Sequence, residues 1–323
     1  MYIDPMTVMH KRRKLSSGGP VVQKPWLDPL VRAFARRALE EDIGAGDITS
    51  RALIGPARRM QAAIIARRNY VVAGVEIVRL VGRLVDKRLV CRVLVPDGQK
   101  VKAGESILVL TGRARSILAV ERTALNFLQR LTGIASLTAQ YVAAVKPWQV
   151  KILDTRKTTP NMRLLEKYAV RCGGGHNHRM GLYDMILIKD NHRFLWRKHC
   201  SSSFAGPRRP GGPSRGGMAS LADAVDEARR KNPKAPIEVE VESVAEFKNA
   251  VSAAPEWIML DNMSIPLMKK CAALCGGRSR LEASGGITLK NINLIAATGV
   301  DAISIGALTH SAPAADLSLE VSR

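Results

Sequence analysis

Aromatic residues are scarce in this chain, at 4% of its 323 residues. Stacking on Phe, Tyr or Trp is therefore not expected to dominate ligand recognition. No run of about 18 or more apolar residues occurs, so we predict no membrane span. The five cysteines are scattered, and Cys271 and Cys275 lie one helical turn apart without the second pair that zinc spacing requires. We expect reduced thiols and a cytoplasmic protein.

Acidic residues are also few, because 28 Asp and Glu stand against 50 Lys and Arg, a net charge of +22. Such an excess is typical of proteins that bind nucleic acid. Residues 1–25 carry five basic residues against one acid, and residues 193–217 carry six basic residues and no acid. These two stretches supply ten of the 22 charges, and neither has the pattern of a folded segment. We therefore predict no nucleic-acid partner.

The chain is long enough for two domains. Residues 1–25 are predicted to be a disordered basic tail, and residues 26–132 an α/β sandwich. Its strands are predicted at 61–66, 70–74, 89–95 and 106–112, and its helices at 26–42 and 75–85. Asp47 or Thr49 is placed to cap a further turn. A long helical stretch at 114–144, broken near Gly133, leads into the second domain.

Residues 133–323 alternate short apolar strands with amphipathic helices, the pattern of parallel βα units. The strands are predicted at 149–154, 185–189, 237–241, 257–260, 280–284 and 302–306. The helices are predicted at 161–171, 220–231, 244–253, 265–275 and 289–298. Six strands favour an incomplete, TIM-like α/β barrel over an open sheet. Residues 193–217, rich in Pro, Gly, Ser and Arg, are predicted to be a flexible insertion near its mouth, either a lid or a disordered stretch.

Polar residues and glycines follow the predicted strands at the end where such barrels carry their active sites. They are Thr155, Arg156, Lys157, Lys189, Asp190, Glu240, Asp261, Ser284, Gly285, Gly286 and Gly306. One barrel mouth brings all of them together. Between Asp154 and His192 the chain also holds seven Lys or Arg and three of its six histidines. That density suits a small polyanion, whose carboxylates and phosphates need charged partners once water leaves.

The cations among these residues predict two kinds of anion site. Arg156, Arg179 and Lys189, with His178, are candidates for a carboxylate clamp, because a guanidinium fork matches a carboxylate. Lys157 is a compact charge that suits a phosphate. The glycine turns in ASGGI and SIGAL allow backbone N–H groups to approach a phosphate closely, although tight turns alone also explain them.

The acidic residues among these cations predict a site for a positively charged group. Glu240 and Asp261 can hold Mg²⁺, directly or through water, or stabilise a cationic sugar in the transition state. Glu238 and Glu242 share the side of Glu240 by alternation along the strand. Spacing alone does not decide among the three glutamates.

Longer motifs connect these residues to a known family. They are EDIGAGDIT, ERTALNFLQRLTGIA, ILDTRKTTP, LEKYAVRCGGGHNHRMGLYDMILIKDNH, IEVEVES, MLDNM, EASGGI and SIGALTH. By these motifs, residues 27–311 resemble the quinolinate phosphoribosyltransferases, the decarboxylating nicotinate-nucleotide pyrophosphorylases of NAD biosynthesis. The insertion at 193–217 departs from the family, whose loop is short there. The resemblance implies an N-terminal α/β sandwich, an incomplete α/β barrel and a homodimer, or a higher oligomer, in which each sandwich covers the partner's barrel mouth.

The resemblance also implies roles for the site residues. Arg122 matches an arginine that reaches into the partner's site. The two carboxylates of quinolinate are assigned to Arg156, His178, Arg179 and Lys189. The phosphoribosyl diphosphate is assigned to Lys157, Ser284, Gly285, Gly286, Gly306 and His310, and Thr155 joins the substrate-binding set. Glu240, selected over the other two glutamates, and Asp261 lie near the ribose and Mg²⁺, and with Lys157 they are the implied catalytic residues.

The implied enzyme is a pentosyltransferase. It converts quinolinate and 5-phosphoribosyl 1-diphosphate, with Mg²⁺, to nicotinate mononucleotide, CO₂ and diphosphate. One alternative is a paralogous phosphoribosyltransferase of the same fold acting on another acid, which the presence of both Arg156 and Arg179 disfavours. The other is a basic nucleic-acid-binding protein.

Overall fold

The computed structural model describes the backbone of residues 24–202 and 220–321, and the side chains of residues 24–196 and 220–321. The predicted basic tail, apart from its last two residues, and the insertion beyond Ser202 lie outside these ranges. None of the helices within them has the length and hydropathy of a membrane span.

The first half of the described chain combines helices with short antiparallel strands. Its helices are α1 (Pro29–Ile43), α2 (Ile48–Leu53), α3 (Val75–Val85) and α4 (Ala114–Ala144). Its strands are β1 (Arg59–Ala66), β2 (Tyr70–Val71), β3 (Val90–Val93), β4 (Lys100–Val101) and β5 (Ser106–Arg113). Asp28 begins α1 by accepting a hydrogen bond from the N–H of Leu30 at 2.8 Å. Asp47 begins α2 in the same way, as predicted, through the N–H of Ser50 at 2.9 Å.

The second half alternates strands and helices as predicted. Its strands are β6 (Lys151–Leu153), β7 (Ile186–Ile188), β8 (Ile237–Val241), β9 (Trp257–Asp261), β10 (Arg280–Ser284), β11 (Ala302–Ser304) and β12 (Leu317–Val321). Its helices are α5 (Arg163–Cys172), α6 (Asp190–Ser202), α7 (Leu221–Lys231), α8 (Val244–Ser252), α9 (Ile265–Cys275), α10 (Ile292–Ala296) and α11 (Ala307–His310). Ser220 and Asp223 form a capping box at the start of α7.

The first six of these strands form one parallel sheet in the order β6-β11-β10-β9-β8-β7. β6 and β7 are its two edges, and the backbone of His176 bridges to Leu153 on β6. Residues that follow β6 and β7 nevertheless line the same cavity. The sheet therefore curls into the predicted incomplete barrel, with the carboxyl ends of all six strands around one mouth.

The last strand joins the sheet of the first half of the chain. β12 falls within residues 133–323, assigned above to the barrel, yet it pairs antiparallel with β1. The first sheet has the order β12-β1-β5-β3. β12 thus satisfies the backbone groups along one edge of β1, which would otherwise be an open edge.

Two predictions about individual elements are wrong. Helix α4 is continuous over 31 residues, without a break near Gly133. A Cβ at Gly133 would lie 2.0 Å from the carbonyl oxygen of Pro313, so the glycine serves close packing. The insertion was predicted to lack regular structure, but α6 covers its first ten residues. The start of α6 is fixed to α8, because Arg193 Nη1 lies 2.9 Å from Glu246 Oε1.

Candidate active site

A cavity of about 650 Å³ lies at the carboxyl ends of the six parallel strands. Thirteen of the fourteen predicted substrate-binding residues line it. They are Thr155, Arg156, Lys157, His178, Arg179, Lys189, Glu240, Asp261, Ser284, Gly285, Gly286, Gly306 and His310. The exception is Arg122, which is exposed on α4 and is not part of the lining.

The segment after β6 is held against the segment after β11. The Thr309 hydroxyl donates to the carbonyl oxygen of Lys157 at 2.7 Å. Gly306 separates two side chains here, because a Cβ at this position would lie 3.0 Å from His310 Nε2 and 3.1 Å from Lys157 Cδ. The absence of a side chain at Gly306 therefore keeps this corner open beside the exposed cation of Lys157.

Arg156 and Arg179 bring two guanidinium groups to one wall of the cavity. Arg156 Nε is buried and has no hydrogen-bond partner among the described residues. Arg179 Nη1 donates to the carbonyl oxygen of Met185 at 3.0 Å. Burial lowers the pKa of Arg179, and the charge of Arg156 lowers it further. Two cations that repel each other, one with an unused donor, form a receptor for an anion with two carboxylates.

Lys189 and Glu240 connect this wall to the rest of the cavity. Lys189 Nζ donates to Glu240 Oε2 in a close ion pair. Glu240 is buried, with 6% of its surface exposed, whereas Glu242 is exposed and does not line the cavity. The location of Glu240 agrees with the choice made from the family motif. The ion pair joins a residue predicted to bind quinolinate to a residue predicted to lie near the ribose.

The tips of β9 and β10 form the opposite side of the cavity. Gly285 and Gly286 have φ angles of 91° and 61°, a left-handed conformation that favours glycine. Both glycines line the cavity, and a turn without side chains allows backbone N–H groups to approach a phosphate closely. Asp261 ends β9, and its Oδ2 accepts a hydrogen bond from Asn262 Nδ2 at 2.9 Å.

Two acids, Asp261 at the tip of β9 and Glu240 near the end of β8, fit Mg²⁺ by their chemistry. Among the described residues, nothing donates a hydrogen bond to Asp261 Oδ1. Mg²⁺ prefers carboxylate oxygens and is usually held by one or two of them, together with waters and substrate phosphates. Asp261 has an oxygen available for this, whereas Glu240 Oε2 is paired with Lys189.

His178 lines the cavity, and both nitrogens of its ring have partners within the chain. Nδ1 accepts a hydrogen bond from the backbone N–H of Arg179 at 2.7 Å. Nε2 therefore carries the ring proton and donates to Glu238 Oε2 at 2.9 Å. Burial lowers the pKa of His178, so the ring is neutral at pH 7. Both nitrogens are occupied within the chain, and the ring orients the backbone of Arg179.

His178, Glu238 and Glu282 also lie close enough together to suggest a metal site. The hydrogen bonds argue against it. A metal on Nε2 would require a proton on Nδ1, and that proton would face the N–H of Arg179. The three residues are better described as a buried hydrogen-bonded cluster below the mouth.

The two glutamates of this cluster are unusual acids. Each is at most 1% exposed, and Oε1 of each has no hydrogen-bond partner within the described part of the chain. Burial raises the pKa of Glu238 to about 8 and that of Glu282 to about 8. Both are therefore largely protonated at pH 7, which removes the repulsion between two buried carboxylates.

We predict that the free energy of unfolding falls less between pH 6 and pH 8 in Glu282→Gln than in the wild type. A folded-state pKa of about 8 lies above the ordinary value of 4.5, so the folded chain binds the proton more tightly. The contribution of this one carboxyl group to the free energy of unfolding is therefore fully present below pH 4.5 and is lost as the pH rises through about 8. One titrating group costs about 1.4 kcal/mol per pH unit, or roughly 2 to 3 kcal/mol between pH 6 and pH 8. Urea denaturation at both pH values measures this difference.

The matched control is Glu242→Gln, on the exposed end of the same sheet. Its pH dependence should equal that of the wild type. An identical fall in stability for the wild type and Glu282→Gln would contradict the protonated state of the cluster.

A buried ion pair supports the same region from outside the barrel. Lys167 and Asp154 are at most 1% exposed, and Lys167 Nζ donates to Asp154 Oδ1. Asp154 also accepts from Asn177 Nδ2 at 2.6 Å and from the N–H of His178 at 2.9 Å. The ion pair therefore fixes the backbone that carries His178 and Arg179.

Comparisons with known proteins show the family to which the chain belongs. The model of the quinolinate phosphoribosyl transferase N-terminal domain matches residues 47–132, and that of the C-terminal domain matches residues 134–202 and 215–320. The chain belongs to the quinolinate phosphoribosyl transferase family. The family boundary between the two domain models lies within α4, beside the predicted boundary at 132.

Individual members of the quinolinate phosphoribosyl transferase family are similar over most of the chain. A probable carboxylating nicotinate-nucleotide pyrophosphorylase of Bacillus subtilis (strain 168) is 39% identical over 282 residues, 87% of this chain and 90% of that protein. Quinolinate phosphoribosyltransferase [decarboxylating] 1 of Nicotiana glauca is 37% identical over 93% of this chain and 85% of its own length. The solved structure of the nicotinate-nucleotide pyrophosphorylase from Francisella tularensis matches with a TM-score of 0.82 at 37% identity, over 94% of this chain and all of that one.

Sequence reasoning missed two parts of this quinolinate phosphoribosyl transferase site. The first is the cluster below the mouth, for which the alternating acids of IEVEV and RLEAS were a signal. The second is Asn262, which lines the cavity between Asp261 and Gly285. The signal was an asparagine directly after a strand, because asparagine tolerates the left-handed conformation better than most residues.

Proposed function

We propose that this chain transfers the phosphoribosyl group of 5-phosphoribosyl 1-diphosphate to the ring nitrogen of quinolinate. The products are nicotinate mononucleotide, CO₂ and diphosphate. One observation carries the proposal: the cations suited to a diacid and the glycine turns suited to a phosphate line a single cavity. The names of the similar proteins from Bacillus and Nicotiana support the same reaction.

Quinolinate binds to the cationic wall. Arg156 and Arg179 hold its two carboxylates, and Lys189 adds a third charge after it leaves Glu240. Holding the diacid in this way places its ring nitrogen toward the sugar subsite, which replaces a collision between two free molecules by a preset geometry. His178 contributes by fixing Arg179.

Phosphoribosyl diphosphate binds between Lys157 and the Gly285–Gly286 turn. As the bond from the anomeric carbon to the diphosphate breaks, Lys157 stabilises the departing oxygens. Positive charge grows on the ribose ring, and the carboxylates of Glu240 and Asp261 stabilise it. The pyridine nitrogen forms the new bond to the anomeric carbon and becomes cationic.

Loss of CO₂ follows from that charge. The bond between ring carbon 2 and its carboxylate breaks, and the electron pair stays on the carbon beside the cationic nitrogen. That carbon then takes a proton from solvent, which completes nicotinate mononucleotide. Mg²⁺, when bound by Asp261 and Glu240, would neutralise part of the diphosphate charge.

The same proposal includes an oligomeric state and a cellular location. The chain forms a homodimer in which Arg122 reaches the partner's cavity; its exposure on α4, outside its own cavity, supports this arrangement. The enzyme is cytoplasmic. The four described cysteines, Cys91, Cys172, Cys271 and Cys275, are free thiols, which supports a reducing compartment.

The test mixes the purified full-length chain with quinolinate, phosphoribosyl diphosphate and Mg²⁺ and measures nicotinate mononucleotide by chromatography. The proposal predicts product from quinolinate and none from nicotinate. Product from another acid alone would favour the paralogous transferase. Removal of residues 1–23 should leave turnover intact, whereas a nucleic-acid-binding protein would lose its function with that basic tail.

A further inference from the structure

Asn262 has an unusual backbone conformation at the edge of the cavity. Its φ angle is 51°, and only Asn161 and Ala254 share a positive φ among the non-glycine residues of the described ranges. Strained backbone of this kind persists where the surrounding structure holds it, and it is concentrated at functional sites. Glycine would adopt the same backbone without strain, so the asparagine side chain needs a separate explanation.

The side chain of Asn262 contacts predicted site residues at both ends of its amide. Nδ2 donates to Asp261 Oδ2 at 2.9 Å. Oδ1 lies against Gly285, where an added Cβ would be only 2.0 Å away. The backbone N–H of Asn262 donates to the carbonyl oxygen of Ser284 at 2.9 Å. Asn262 thus joins the tip of β9 to the glycine turn after β10.

We propose that Asn262 is a positioning residue for the phosphoribosyl diphosphate half of the site, an inference that rests on the proposed function. Its amide fixes the plane of the Asp261 carboxylate and leaves Oδ1 of that carboxylate for the ribose or Mg²⁺. The same amide supports the Gly285–Gly286 turn at a fixed distance from Asp261. Within the described ranges, no hydrogen bond or ion pair joins Asn262 to Arg156, Arg179 or Lys189. The effect of Asn262 is therefore expected on the phosphoribosyl diphosphate half of the site and not on quinolinate binding.

Two variants separate the amide from the backbone. Asn262→Gly removes the amide and relieves the strain at φ 51°. Asn262→Asp keeps the size and tolerates the conformation, but it replaces the donor with a second carboxylate beside Asp261. Ala254→Gly is the matched control, since Ala254 also has a positive φ of 43° but lies outside the cavity lining.

Calorimetric titration measures the binding of phosphoribosyl diphosphate with Mg²⁺ and, separately, of quinolinate. Both Asn262 variants should bind phosphoribosyl diphosphate about 10- to 100-fold more weakly, the effect of one hydrogen bond to a charged group. Quinolinate affinity should stay within about twofold in both. The melting temperature of Asn262→Gly should match that of Ala254→Gly, and Ala254→Gly should bind both ligands like the wild type.

Each outcome decides one question. Wild-type affinity for phosphoribosyl diphosphate in Asn262→Asp, or an equal loss for both ligands, would overturn the role of Asn262. If Asn262→Gly does not fold, the result for Asn262→Asp decides alone. A wild-type chain that binds neither ligand would instead overturn the proposed function, which keeps the two failures apart.

Discussion

Arg156→Ala should bind quinolinate about 30- to 5000-fold more weakly while keeping its affinity for phosphoribosyl diphosphate. Truncating one partner of a buried, hydrogen-bonded charge pair costs roughly 2 to 5 kcal/mol, which corresponds to this range. Arg156 has a buried Nε without a partner in the described structure, so its donors are available to the diacid. Calorimetric titration with each ligand measures both affinities.

Arg156→Lys is the matched control for this prediction. Lysine keeps the charge but loses the planar fork that matches a carboxylate, so its affinity for quinolinate should fall between those of the wild type and Arg156→Ala. Equal quinolinate affinity in all three proteins would show that the diacid binds elsewhere. An equal loss for both ligands would show that Arg156 supports the whole cavity rather than one subsite.

Arg122→Ala and Lys189→Ala chains, each inactive alone, should regain about one quarter of wild-type activity when mixed in equal amounts. Random exchange makes half of the dimers mixed, and each mixed dimer contains one site with both residues intact. The physical reason is the position of Arg122, which is exposed on α4 and absent from the cavity of its own chain. Nicotinate mononucleotide formation measures the recovery.

Subunit exchange has to be verified in the same samples, for example by mass spectrometry of differently tagged chains. A mixture of Arg122→Ala with wild type calibrates the activity of a half-intact dimer. Verified exchange without recovery would contradict the shared site. Substantial activity of Arg122→Ala alone would show that this arginine is dispensable.

The parallel sheet was predictable because its signal is local. A buried strand such as IEVEV is short and apolar on its core side, and each such strand is followed by an amphipathic helix. Strands of one parallel sheet end at the same edge, so the sequence also predicts that Arg156, Lys189 and Asp261 share a mouth. The family motif was needed to choose Glu240 among three alternating glutamates.

The missed features depend on contacts between distant segments. The break predicted at Gly133 ignored Pro313, whose carbonyl oxygen occupies the space of a side chain. The pairing of β12 with β1 joins residues about 250 positions apart, and no local pattern encodes it. The ring orientation of His178 follows from Glu238 and the N–H of Arg179, which the motif does not encode, and its contact with the substrate stays a prediction.

The most direct test of the account follows the carboxylate that the reaction removes. Quinolinate labelled with ¹³C at the 2-carboxylate is incubated with the wild-type chain, phosphoribosyl diphosphate and Mg²⁺. The amounts of labelled CO₂ and of nicotinate mononucleotide are then measured in the same sample. We expect one labelled CO₂ for each nucleotide formed. At a quinolinate concentration near the wild-type dissociation constant, Arg156→Ala should form both products at least about 10-fold more slowly. Label retained in a nucleotide product, or nucleotide formed at the wild-type rate by Arg156→Ala, would contradict the account.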